Sequence, residues 1–262
     1  MKDLFSLDGR IALVTGGSRG IGKMIAEGFL HYGAEKVFIV ARKKEACEET
    51  AKDLSALGAC IPFTADLSTV EGCVALASTL ANETDQLDIL VNNAGAAWGA
   101  PFETFPEDGW DKVMNLNLKT PFYLAQQLAP MLKKAARADR PAKLINIASV
   151  DGIKINAWET YPYQASKAGV IQLTRRLSAK LIADHICVSA IAPGAFPSEM
   201  NIAARDATEA VGNSIPAGRV GSAEDMAGAT VYLASRAGDY VVGDTLVVDG
   251  GYVHGSIGQA WG

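Results

Sequence analysis

Tyr163 and Lys167 stand four residues apart. On a helix that spacing places both side chains on one face. A free phenol titrates near pH 10, too high for proton transfer at neutrality. A neighbouring ammonium favours the phenolate and lowers that value. The pair therefore reads as a proton donor with its tuning cation. Tyr161 has Ala165 at the same offset and lacks such a partner. By itself a Tyr-x-x-x-Lys pair is common, and its plain reading is a half-buried aromatic beside a surface lysine. Ser149 strengthens the chemical reading. It follows the apolar run Leu144-Ile145-Asn146-Ile147-Ala148, at the end of a strand. That is the end at which open α/β sheets bind ligands. A hydroxyl there can stabilise charge developing on a carbonyl oxygen.

Thr15-Gly16-Gly17-Ser18-Arg19-Gly20-Ile21-Gly22 joins another apolar run, Arg10 to Thr15, to an amphipathic one. Glycines allow a tight turn and close backbone approach to phosphate, and a helix N-terminus adds free N–H groups and a positive dipole end. A glycine cluster can also serve strand–helix packing alone. Gly17 to Lys23 fits a P-loop, but Met24 stands where a magnesium-binding Ser or Thr is required. In a dinucleotide fold, the residue about 20 positions on decides the cofactor. Here Val40-Ala41-Arg42-Lys43 offers no acid. Arg42 can pair with a 2′-phosphate through its planar fork, and Arg19 is a second cation. This predicts NADPH over NADH. The cationic nicotinamide ring would add to the effect of Lys167 on Tyr163.

Elements that place these residues together follow from the rhythm of the chain. Strands are expected at 10–15, 36–41, 60–65, 87–91, 143–148, 186–191 and 245–248. Helices are expected at 21–32, 43–57, 69–84, 163–183 and 223–234. Residues 107–136 read as one long helix or a pair, kinked or interrupted at Pro121. Strands alternating with helices predict a Rossmann-type doubly wound parallel sheet of about seven strands, with helices on both faces. Nucleotide and catalytic signals interleave, so 1–262 reads as one domain. The stretch 193–218 is rich in Pro, Gly and Ala and is too long for a simple connection, which predicts a substrate lid. Asn92-Asn93-Ala94-Gly95 ends the fourth strand, and its amides also suit an ordinary turn.

The 262 residues carry 24 Lys+Arg and 29 Asp+Glu, for a formal charge of −5, with 49% hydrophobic residues. That composition is globular and buries about 70% of the chain's surface without staples. A mildly acidic chain is a poor general binder of nucleic acid or anionic membrane. Cysteines 47, 60, 73 and 187 form no CxxC pair, and the histidines His31, His185 and His254 are scattered. Neither a disulfide framework nor a metal site is expected. There is no apolar leader at the N-terminus and no run of about 18 apolar residues. The expected location is cytoplasmic.

Together these motifs resemble the short-chain dehydrogenase/reductase family across nearly the whole chain. The matching pieces are Thr15–Gly22, Asp66, Asn92–Gly95, Asn117, Ser149, Tyr163-x-x-x-Lys167, Pro193-Gly194 and Asp249-Gly250-Gly251. Within the family the chain is similar to 3-oxoacyl reductases associated with rhamnolipid synthesis. Phe5–Ala26, Ala41-Arg42, Glu45-Ala46-Cys47, Ala97-Trp98-Gly99-Ala100 and Ala192 to Ser198 carry that similarity.

The resemblance implies reduction of a ketone or 3-oxoacyl group to a secondary alcohol. Tyr163 would act as general acid, Ser149 as carbonyl ligand and Lys167 as its aid and ribose holder, with Asn117 anchoring a water relay. Cofactor contacts are implied at Gly16, Ser18, Arg19, Gly20, Ile21, Gly22, Arg42, Asp66, Leu67, Asn93, Ala94, Gly95, Tyr163, Lys167, Pro193, Gly194 and Ser198. Asp66 would meet the adenine and Asn92 the adenosine ribose side. Ser198 stands where the family usually has Thr. A homotetramer, or a dimer, is implied too. Trp98, Trp158, Tyr161, Phe196 and Met200 lie in stretches near the catalytic positions and would line an apolar substrate pocket. Alternatives are a polyol or secondary-metabolite alcohol dehydrogenase working oxidatively, a non-catalytic NADPH-binding module, and a P-loop NTPase. The tail Tyr252 to Gly262 would cover a neighbouring site or move freely.

Overall fold

Every residue of β1 (Ile11–Thr15) is buried. A strand covered on both faces needs no polar alternation, so it reads as a continuous apolar run. Its faces still divide with a period of two. Ala12 and Val14 enter one core, and Ile11 and Leu13 the other. Likewise in β2 (Lys36–Ala41), Val37 and Ile39 face one way and Phe38 and Val40 the other. The computed structural model describes residues 3–255, so the stretch 256–262 of the predicted tail lies outside the described residues.

Seven parallel strands form one sheet in the order β3-β2-β1-β4-β5-β6-β7. The others are β3 (Ala59–Thr64), β4 (Ile89–Asn92), β5 (Ala142–Ile147), β6 (Ile186–Pro193) and β7 (Thr245–Val248). After β3 the chain returns to pair β4 with the free side of β1. The order reverses there, which leaves a crevice at the carboxyl ends of the strands.

Helices cover both faces. α1 (Gly20–His31), α2 (Lys44–Leu54) and α9 (Ala223–Ala234) feed one core. α3 (Val70–Glu83) and α5 (Thr120–Ala135) feed the other. α4 (Glu107–Met114) and α6 (Tyr161–Leu181) flank that second layer. At the α1–α9 crossing, a Cβ on Gly28 would stand 2.6 Å from the Ala227 Cβ, so glycine sets how closely the helices meet.

Three expectations need adjustment. The stretch 107–136 is not broken at Pro121. A π-helical turn over Asn115–Lys119 joins α4 to α5, and Pro121 lies in the first turn of α5. Thr120 N–H reaches back five residues to the Asn115 carbonyl. Proline has no N–H to give the carbonyl four residues earlier, so the irregularity falls ahead of it. α6 starts at Tyr161, two residues early, because Pro162 suits a first helical turn. The predicted lid holds two short helices, α7 (Ile202–Asp206) and α8 (Thr208–Gly212), around a small core of Ala204, Ile215 and Val220. Among the described residues, no helix is long and apolar enough to cross a membrane, and all four cysteines are free.

Candidate active site

The carboxyl ends of the central strands open into one cleft of about 830 Å³. Its floor is the glycine turn. Gly16 has φ of +66°, which suits glycine. A Cβ on Gly22 would stand 2.2 Å from the Gly16 carbonyl oxygen and 2.5 Å from Asn93 Nδ2. No other residue fits that approach. Asn93 Nδ2 donates to the Thr15 carbonyl at 2.8 Å, and Thr15 Oγ1 accepts from Asn93 N and Ala94 N, both at 2.9 Å. Thr50 Oγ1 donates to the Ser18 carbonyl at 2.7 Å. The turn is thus braced from β4 and α2, with the N-terminus of α1 opening onto the cleft.

Gly16, Ser18, Arg19, Gly20, Ile21, Gly22, Arg42, Leu67, Asn93, Ala94, Gly95, Tyr163, Lys167, Pro193, Gly194 and Ser198 all line the cleft. Arg42, Lys43 and Arg19, the last 3.5 Å from Glu199, together with a cradle that a side chain would fill, fit a dinucleotide carrying an extra phosphate. Lys23 instead pairs with Asp53 at 3.1 Å, and Met24 packs on the core. A P-loop lysine would have to reach a phosphate, so the NTPase reading fails on geometry.

Ser149 lies two residues past β5 and caps a 3-10 turn over Val150–Gly152, where its Oγ accepts from Asp151 N at 3.1 Å. A Cβ on Gly152 would come 2.6 Å from the Lys167 carbonyl carbon. Glycine therefore lets this turn press onto α6, which brings Ser149 to Tyr163. Both side chains line the cleft, and the Ser149 hydroxyl acts to lower the Tyr163 pKa. Lys167 is buried, and its Nζ donates to the Ile147 carbonyl at 2.8 Å. The ammonium lies 5.6 Å from the Tyr163 ring centroid.

Burial pushes the Tyr163 phenol up to about 12; Ser149 opposes this and Asp151 adds to it. Burial brings Lys167 down to about 8, against the pull of Asp151. The expectation that Lys167 lowers the Tyr163 value is therefore not met by the protein's own groups. The ammonium is turned to a backbone carbonyl, and desolvation outweighs it.

Several other assignments are corrected. Asn92 does not reach the cleft: its Nδ2 donates to Asn146 Oδ1 at 2.9 Å, and Asn146 Nδ2 donates to Thr174 Oγ1 at 2.9 Å, as a buried ladder. One Asp66 oxygen, Oδ1, accepts from Ser68 N and Oγ, and the exposed residue stands between Ala65 and Leu67 of the cleft wall. Those bonds hold its pKa below the usual carboxylate range. The Asn117 amide is buried and occupied. Its Nδ2 donates to the Ala96 carbonyl and to Ser166 Oγ, and its Oδ1 accepts from Ala96 N at 2.8 Å. Its side chain pins the β4 loop and leaves any relay to its backbone carbonyl, whose helical donor would be residue 121, a proline.

Trp98 and Tyr161 lie outside the cleft. Trp98 packs over Gly109 beneath Lys112, and Tyr161 bonds Glu159 and packs edge-on to Phe102 and Phe105. Trp158, Phe196 and Met200 do line it. So do Asp151 and Asn156, which sequence reasoning passed over. An acid two residues past a strand-end serine was the available signal.

A cofactor cradle at a sheet switch point with a Ser/Tyr/Lys set beside it defines a dinucleotide-dependent α/β oxidoreductase. The family model described as enoyl-(acyl carrier protein) reductase matches residues 16–253. The chain belongs to this family of short-chain dehydrogenases/reductases. It is 51% identical to the rhamnolipids biosynthesis 3-oxoacyl-[acyl-carrier-protein] reductase of Pseudomonas aeruginosa, over 96% of this chain and 99% of that one. It is 37% identical to the 2-dehydro-3-deoxy-D-gluconate 5-dehydrogenase of Dickeya dadantii, over 95% and 97%. The solved Pseudomonas aeruginosa RhlG/NADP active-site complex matches with a TM-score of 0.92 at 50% identity, covering 96% of this chain and 99% of that one.

Proposed function

We propose that this protein reduces a ketone or 3-oxoacyl group to a secondary alcohol with NADPH. The juxtaposition of Ser149 and Tyr163 at the foot of the glycine turn carries this reading. The NADP-bound relative and the acid-free end of β2 at Arg42 support the choice of cofactor. NADPH, when bound, supplies the hydride. Ser149 donates a hydrogen bond to the substrate oxygen and holds it by Tyr163. The Tyr163 phenol delivers its proton to that oxygen as negative charge develops there. Burial keeps it protonated in the cofactor-free protein, and the positive charge of the oxidised nicotinamide formed in the step would favour its release of the proton. Lys167 places positive charge beneath the same oxygen. Trp158, Phe196 and Met200 give the cleft an apolar wall suited to an acyl chain.

The test is NADPH oxidation with a panel of 3-oxoacyl thioesters, β-keto esters and plain ketones. Turnover that is lost in Tyr163→Phe supports the reading, and full activity in that variant removes Tyr163 as the acid. Tight NADPH binding without turnover of any carbonyl would favour a binding module. Homotetramer assembly belongs to the proposal as well. Phe102, Trp110 and Phe122 leave apolar surface on and beside α4 and α5, and sedimentation is the check.

A further inference from the structure

The cleft wall carries one acid that the reduction chemistry leaves unassigned. Asp151 is part-buried and lines the cleft. Its backbone N–H is committed to Ser149 Oγ at 3.1 Å, so its main chain is tied to the catalytic hydroxyl. The close contact at Gly152 holds the turn against α6. Asn156 lies on the same wall, with its Oδ1 accepting from Trp158 N at 2.9 Å and its amide nitrogen left to other partners. Burial raises the Asp151 carboxyl, while Asn156 and the Lys167 ammonium favour its ionised form. A carboxylate offers about four lone-pair sites, more than one amide fills.

Around it the wall mixes Val150, Ile155, Ala157 and Trp158 with Ser149 and Lys167, and Ile155 and Trp158 are exposed until a ligand covers them. A ligand that expels water from such a place strips the carboxylate of hydration unless it brings a donor of its own. A plain alkyl ketone brings none. A hydroxyl next to the ketone would.

We infer that Asp151 and Asn156 form a polar subsite beside the reacting carbonyl that selects 3-oxo substrates bearing a hydroxyl on the adjacent carbon. This rests on the carbonyl-reductase reading above and narrows its substrate class. Ser149 marks where the carbonyl oxygen sits, and Asp151 stands two residues along the same wall. The subsite would accept the hydroxyl proton at the carboxylate and offer the Asn156 amide to the hydroxyl oxygen.

The experiment compares esters of 4-hydroxy- and 4-methoxy-3-oxobutanoate in NADPH-dependent reduction. Both substituents withdraw electrons, but only the hydroxyl donates. The wild-type enzyme should favour the hydroxy ester by about tenfold in kcat/KM, the scale of one hydrogen bond to a charged group. In Asp151→Ala that preference should fall to near one. Asp151→Asn keeps the shape and loses the charge, and should lower it by about threefold. NADPH fluorescence shows that each variant is folded. A wild-type ratio near one, or a ratio unchanged in Asp151→Ala, overturns the subsite. Turnover of the methoxy ester by the wild type reports on the reductase reading separately.

Discussion

Lys167 Nζ donates to the Ile147 carbonyl at 2.8 Å, tying the catalytic helix to the end of the strand that leads to Ser149. The lysine thus has two tasks, as a charge near the reacting oxygen and as a strut between α6 and β5. Lys167→Arg keeps charge but cannot place a wide, planar guanidinium in a site fitted to an ammonium. The expected result is a loss of roughly 100-fold or more in kcat/KM, the lower end of acid–base contributions. Tyr163→Phe should lose at least as much while NADPH binding persists. Steady-state kinetics with fluorescence titration of NADPH separates the two effects.

The two shifted groups set a pH profile. Tyr163 stays a phenol until about 12, and Lys167 keeps its charge only below about 8. Reduction uses the phenol and the ammonium together. Activity should therefore be full at neutral pH and fall as pH rises through about 8, the sign opposite to a phenolate-driven reaction. The profile of kcat/KM at saturating NADPH measures this. In Lys167→Met the limb near 8 should vanish from the remaining activity.

Arg42 lines the cleft at the end of β2, whose own residues 40–43 include no acid. Arg42→Asp should weaken NADPH by roughly 10- to 100-fold, the scale of a lost charge-assisted bond. NADH should lose far less, because a carboxylate can accept from a ribose 2′-hydroxyl. Relative kcat/KM for the two cofactors is the readout. An unchanged ratio would remove Arg42 from the phosphate site.

The Asn92–Asn146–Thr174 ladder is buried and belongs to stability rather than to cofactor contact. Asn92→Ala leaves the Asn146 Oδ1 without that donor. It should cost about 1–3 kcal/mol in urea unfolding, the penalty of an unsatisfied buried polar group. NADPH affinity should change little. A large loss of affinity with unchanged stability would restore the ribose role.

The strands were legible because parallel strands covered on both faces are uninterrupted apolar runs, as in Arg10 to Thr15. The glycine turn was legible because its steric demand is local: Gly22 admits no Cβ whatever the surroundings. Residues whose role depends on direction were not. Asn92 and Asn93 are adjacent and chemically identical, yet the first enters the buried ladder and the second lines the cleft. That choice follows from strand alternation at a boundary known only to within a residue or two. Trp98 and Tyr161 lie near the site in sequence, but their rings are claimed by Lys112 and Phe102. Asn117 turns inward because of a π-helical turn whose placement depends on the packing of α4 and α5.

In the segment between β6 and α9, Phe196 is buried in a core of the sheet, while Ala204, Ile215 and Val220 form a small cluster of their own. A piece with its own small core can be loosened or exchanged with little strain on the rest. Its sequence can drift, or be swapped with a relative's, while β5 and α6 keep Ser149, Tyr163 and Lys167 in register. The catalytic set thereby rests on one framework and most of this segment on another, so the segment is the part open to redesign without disturbing the set.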